Sequence, residues 1–250
     1  MMHKLASRSC SFGFKSLSRK SNLFEKKIQA FSTKVPSSIL YSSSGDALHF
    51  CFSSGDDTST QPFVLSKEES EFLADITEEN VILPIADYIE SHYAIENSDQ
   101  FVGGMGENDN GVWFSSDSDS CDILDYSDIL KEIIYNVKQN RHGIPFGAYS
   151  SGIVNDPDIA SKLKSDIGLS TIQVSLLSST PDGYASIRQI SDMSQAQRDF
   201  GSVCNFIAIA SENGFPVTAA IGGGKHTGGA SELAKALGAV DIVIYDDVGI

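Results

Sequence analysis

"PFGAYSSGIVNDPDIASKLKSDIGLSTIQVSLLS", residues 145–178, decides the fold class. Two short apolar runs, 145–151 and 171–178, enclose a segment of helical spacing at 156–168. Runs of that length between turn residues suit buried strands. Asp156 stands where a helix N-cap is needed, Pro157 falls in the first turn, and Gly168 supplies a left-handed stop. Strand, helix, strand is the unit that joins parallel strands by a right-handed crossover.

The same alternation extends in both directions. Further strands are expected at "ALHFCFS" (47–53), "QFVGGM" (100–105), "PVTAAI" (216–221) and "DIVIYD" (241–246). Helices are expected at 66–76 continuing through 83–93, and at 126–140, 194–214 and 230–238, with Gly214 and Gly238 ending the last two. In 126–140, Ile129, Ile133, Ile134 and Val137 share one face, the mark of an amphipathic helix. Six strands separated by helices call for an α/β fold with a parallel sheet; periodicity leaves open whether the sheet curls or lies flat. Either way ligands bind at the carboxyl ends of the strands, so the loops after residues 53, 105, 151, 178 and 221 are expected to line one site. The acidic, serine-rich stretches 53–62 and 107–122 read as mobile loops. The chain stops soon after the sixth strand, which leaves no room in this sequence for an eight-strand barrel.

Charge divides the chain sharply. Residues 1–34 carry eight Lys and Arg and one acid, Glu25, are rich in serine, and lack the apolar core of a secretory signal. That composition predicts an organelle transit peptide, mitochondrial first and plastid as the alternative, followed by one domain over residues 35–250. The remainder has ten basic against thirty-two acidic side chains, a balance of minus 22. So acidic a surface repels phosphate backbones, and nucleic acid is not expected as a partner of this portion; a basic tail that binds nucleic acid or membrane is the alternative reading of residues 1–34. No stretch is apolar for long enough to span a bilayer, so a membrane partner is not expected either. Cys51, Cys121 and Cys204 are too far apart to read as a disulfide framework or a zinc site.

"IGGGKHTGG" (221–229) looks like a phosphate cradle but fails the P-loop spacing: Ala219 stands where the first glycine belongs and His226 where the magnesium-binding hydroxyl belongs. Nucleotide hydrolysis has no support there. In "FVGGMGEN", Gly103, Gly104 and Gly106 precede Glu107, a carboxylate that a close backbone turn would present to an ammonium group. Elsewhere His49 sits in a strand, His142 follows a helix, Lys225 is flanked by glycines, and Asp56 with Asp57 are adjacent loop acids. No nucleophile, base and orienting acid are spaced as a hydrolytic triad.

From residue 100 to 246 the order of these segments resembles the radical S-adenosylmethionine (radical SAM) superfamily, within it the TatD-associated branch. The resemblance implies a six-stranded parallel (β/α)6 partial TIM-type barrel that binds S-adenosylmethionine as cofactor. It implies that Gly103, Gly104, Gly106 and Glu107 stand for the family's "GGEP"-type contact with the methionyl amino group, with Asn108 in place of the proline. Ser150 and Ser151, in "SSG", take the place of a Thr-Asn pair, and Ser175, in "IQVSL", that of a ribose-facing polar group. Ile221 and Gly223 fit the spacing of an adenine-packing motif.

One departure changes the expected chemistry. The family carries CxxxCxxC after the first strand, three thiolates for a four-iron four-sulfur cluster that supplies the electron. Here the stretch reads "CFSSGDDTSTQPF" and Cys51 has no partner at either spacing, so the cluster is not expected. The leading expectation is a degenerate or accessory radical-SAM-like protein taking a small-molecule ligand. The alternatives are an aldolase- or lyase-type barrel enzyme working through Lys225 or a metal at Glu107, Asp246 and Asp247, and a gene model that omits the cysteines near residues 53–62.

Overall fold

A computed structural model describes residues 38–44, 47–53, 80–93, 111–116, 121–156 and 158–245. The chain divides into units at Met1–Thr33 and Lys34–Ile250, and every described residue belongs to the second.

The second unit is an α/β partial barrel. Its strands are β1 (Ser38–Ser44), β2 (Ala47–Ser53), β3 (Gly111–Ser116), β4 (Phe146–Ser150), β5 (Thr171–Ser175), β6 (Val217–Gly222) and β7 (Asp241–Tyr245). They form one sheet in chain order: β1 runs antiparallel to β2, and each neighbouring pair from β2 to β7 is parallel. The six parallel strands are those of a (β/α)6 arrangement. The helices among the described residues are α1 (Ile82–His92), α2 (Ser127–Asn140), α3 (Ile159–Lys162, continuing as a wider turn over Leu163–Ile167), α4 (Pro181–Arg188), α5 (Met193–Glu212) and α6 (Thr227–Ala236).

Five of the six expected parallel strands lie within three residues of their expected bounds, β2 matching at both ends. The second does not. The strand between β2 and β4 is Gly111–Ser116, inside the stretch whose acidic and serine-rich flanks read as a loop. Gly111, Val112, Trp113 and Phe114 are all buried, and this burial outweighs the turn-forming neighbours. The expected strand at 100–105 lies outside the described residues, as does the expected helix at 66–76. Two elements went unread: the antiparallel β1, and α4, whose Thr180 side chain accepts from the Gly183 amide at 3.2 Å with Pro181 at the first helical position.

Alternation along the strands gives the sheet two chemically different faces. Leu48, Phe50, Phe52, Val112, Phe114, Phe146, Ala148, Ile172, Val174, Val217, Ala219 and Ile221 point to one side and are fully buried. Phe114 stacks with Phe50 at 5.9 Å and Phe146 at 6.4 Å between ring centres. The apolar edges of α1, α2 and α5 belong to the same core; in α2 these are Leu130, Ile133, Ile134 and Val137, the i, i+3, i+4, i+7 set. Gly168, Gly214 and Gly238 end helices with φ of 88°, 70° and 92°, as their sequence positions imply. The second face carries His49, Cys51, Trp113, Ser115, Tyr149, Gln173, Ser175 and Thr218, all half-buried except Trp113, which is 8% exposed.

Candidate functional site

Because β2 to β7 are parallel, their carboxyl ends share one edge of the sheet, where the segments following Ser53, Ser116, Ser150, Ser175 and Gly222 begin. At the end of β4, Ser150 and Ser151 converge on a carboxylate that sequence reasoning missed. Ser150 Oγ donates to both oxygens of Asp122 at 2.9 Å, and Ser151 donates to Asp122 Oδ2 through its amide and its hydroxyl, each at 2.7 Å. Asp122 Oδ1 also accepts the Leu124 amide at 3.0 Å, capping the 3₁₀ turn Ile123–Tyr126, while the Asp122 amide donates to Asp125 Oδ2 at 3.3 Å. The two serine hydroxyls in turn accept the amides of Gly152 and Ile153. Burial pushes the Asp122 carboxyl above its ordinary range, against the pull of these hydrogen bonds. The only signal in the sequence was an acid preceding a helical pattern. In this knot Ser150 and Ser151 shape the turn after β4, with their protons committed to Asp122.

The next two strands end differently. Ser175, the last residue of β5, is half-buried on the inner face. Ile221 is fully buried among the helix-facing core residues, so its side chain packs the core and faces away from the inner side of the sheet. Gly223 is exposed, and its amide donates to the Tyr245 carbonyl at 2.8 Å, extending the β6–β7 pairing by one step. Lys225 is exposed in the turn before α6. Beside that turn, a side chain at Gly183 would meet Ser178 Oγ and, at 3.1 Å, His226 Cε1. The starts of α4 and α6 therefore lie close together at this edge. Gly103, Gly104, Gly106, Glu107, Asp56, Asp57, Asp246 and Asp247 lie outside the described residues; in chain order the glycine motif at 103–107 precedes β3 instead of following it.

The inner face of the sheet holds a polar and aromatic grouping, most of whose components carry no motif in the sequence. Register pairs His49 with Trp113 and Trp113 with Gly147 across β2, β3 and β4. A Cβ on Gly147 would lie 2.7, 2.8 and 2.9 Å from three contiguous atoms of the indole six-membered ring, so the ring lies face-on over a position that only glycine leaves vacant. The indole also stacks on Tyr149 at 4.6 Å and 28°. Tyr149 takes the His49 ring edge-on at 5.5 Å, and His49 Nε2 is 2.9 Å from Ser115 Oγ. Burial holds the His49 imidazole below its ordinary value, which favours the neutral ring. Further along the sheet, Gln173 Nε2 donates to the Tyr245 hydroxyl at 2.6 Å. Trp113 Nε1 is buried and has no hydrogen-bond partner, a state that costs about 1–3 kcal/mol when nothing fills it.

The three described cysteines lie on separate parts of the chain. Cys51 is on β2, Cys121 is buried ahead of the 3₁₀ turn, and Cys204 lies within α5, where burial raises its thiol pKa and disfavours the thiolate. Among the described residues no three His, Cys, Asp or Glu side chains gather to hold a metal ion, and no helix is long and apolar enough to cross a membrane. No protein-family model matches the chain, and no curated protein matches it in sequence.

Proposed function

We propose that the chain is a radical-SAM-like partial barrel that binds a small molecule at the carboxyl edge of its sheet, with S-adenosylmethionine as the first candidate. It acts as a binding or accessory protein, because the sequence carries no CxxxCxxC motif to ligate the cluster. One observation carries the reading: Ser150 and Ser151, Ser175, and Gly223 fall at the carboxyl ends of three consecutive parallel strands, β4, β5 and β6. Convergent strand ends are where this class of fold binds its ligands. Within the edge, Ser175 is the residue with a side chain available to a ribose hydroxyl. Ser150 and Ser151 act through the turn they hold, and Gly223 through the close backbone approach that a glycine permits. Ile221 contributes packing beneath the edge. Residues 1–34 serve, on the same reading, as a mitochondrial address.

Calorimetry with S-adenosylmethionine, paired with iron analysis of anaerobically purified protein, tests this. Saturable binding without stoichiometric iron is the expected result, weakened by Ser175→Ala. Absence of binding, or a cluster in the purified protein, overturns it.

A further inference from the structure

We propose that the inner face of the sheet is itself a binding site for an uncharged nitrogen heterocycle, held by its amide or amidine edge on Gln173 and by its ring against the Tyr149 and Trp113 pair. Charge sets the class of ligand. The inward positions of β2 to β7 carry no Lys or Arg, and their only acid is Asp241 at the exposed start of β7. Among the described residues of this face no Lys or Arg is placed to neutralise a phosphate or a carboxylate.

Hydrogen bonding narrows the class. The Gln173 amide is fixed by its bond to the Tyr245 hydroxyl at 2.6 Å, which uses one of its two N–H groups. The amide keeps a second N–H and its carbonyl oxygen, one donor and one acceptor. That pairing matches a ring edge that offers an acceptor next to a donor, the way a side-chain amide reads adenine. A few ångströms of sheet away are the stacked indole and phenol, and π-faces of this kind hold planar bases without regard to sequence. Independent of both is Trp113 Nε1, a buried donor on the same face with no partner of its own, for which a ring nitrogen or carbonyl oxygen is the missing acceptor. His49 on β2 and Ser115 on β3 are joined at 2.9 Å on the same face. The inference does not rest on S-adenosylmethionine binding: it uses the floor of the sheet, and a failed titration with that cofactor leaves it standing.

The protein reports on this site directly, since Trp113 is its single tryptophan. Adenine, cytosine and nicotinamide are titrated separately into the full chain while indole fluorescence is followed, with methyl glucopyranoside as a non-aromatic polar probe. Saturable quenching by at least one heterocycle is expected, with none from the sugar. Gln173→Glu keeps the side-chain shape but removes the amide donor, and is expected to weaken binding about tenfold, the loss of one well-made hydrogen bond. Tyr149→Leu is expected to weaken it as well, and circular dichroism of each variant confirms that it is folded. No saturable change with any of the three heterocycles overturns the proposal. So does a folded Gln173→Glu protein of unchanged affinity, or quenching by the sugar alone.

Discussion

Gly147 is the residue on which the inner face turns. With three indole atoms under 3.0 Å from any added Cβ, even alanine forces the ring off its seat and out of its stack with Tyr149. Gly147→Ala is expected to cost about 1–3 kcal/mol, an overpacking penalty, in denaturant unfolding. It is also expected to shift the tryptophan emission to the red as the indole gains water. His49 offers a second check. Its folded pKa lies below the ordinary 6.5 because of burial, so the unfolded chain binds the proton more readily. The His49 contribution is therefore complete above pH 6.5 and declines as pH falls from there through the folded value. His49→Gln, which cannot titrate, is expected to lose less stability than the natural protein between neutral and mildly acid pH in parallel melts. Neither role was legible beforehand. A lone strand histidine and a glycine within an apolar run carry no mark of what stands across the ladder, and register is fixed only when the strands pair.

Among the elements, the contact between β4 and the turn Ile123–Tyr126 depends on one carboxylate. Removing it leaves the Leu124 and Ser151 amides and two serine hydroxyls without their acceptor in a buried setting. Asp122→Ala is expected to cost about 3 kcal/mol, since each buried partner left unmade costs about 1–3 kcal/mol. The pH dependence of Asp122 is opposite to that of His49. Its folded pKa is raised above the ordinary 3.8, so its contribution is greatest below that value and declines as pH rises through the folded one. Asp122→Asn removes that slope, which melts across the acid range detect. Element types were largely legible: the helix over 127–140 and the strands at 47–53 and 217–222 follow from periodicity and glycine stops. The second parallel strand was not. "GVWFSS" is six residues long, with serine and aspartate beyond it and a glycine opening it, and local composition favours a turn until the flanking strands bury it.

On the scale of the molecule, burial is uneven across the sheet. The helix-facing residues of β2 to β6 are sealed, whereas β7 is an edge with Ile244 50% and Tyr245 44% exposed, and Val240 just before it 69% exposed. Less buried area means a lower free energy of local opening. In native-state hydrogen exchange the amides of β7 are expected to exchange well before those of β4 and β5; equal protection across the sheet would contradict this. The alternation of strand and helix was visible in the sequence because each parallel strand requires a crossover to reach the next, and the crossovers announce themselves. Which residues face inward together was not visible, since it depends on parity carried across six strands.

The order of the strands has a consequence for biogenesis. From β2 onward each new strand docks on the one made just before it, never on one still to be synthesised. As the polypeptide leaves the ribosome it can accrete one βα unit at a time, with the growing rim always the most recent of the described strands.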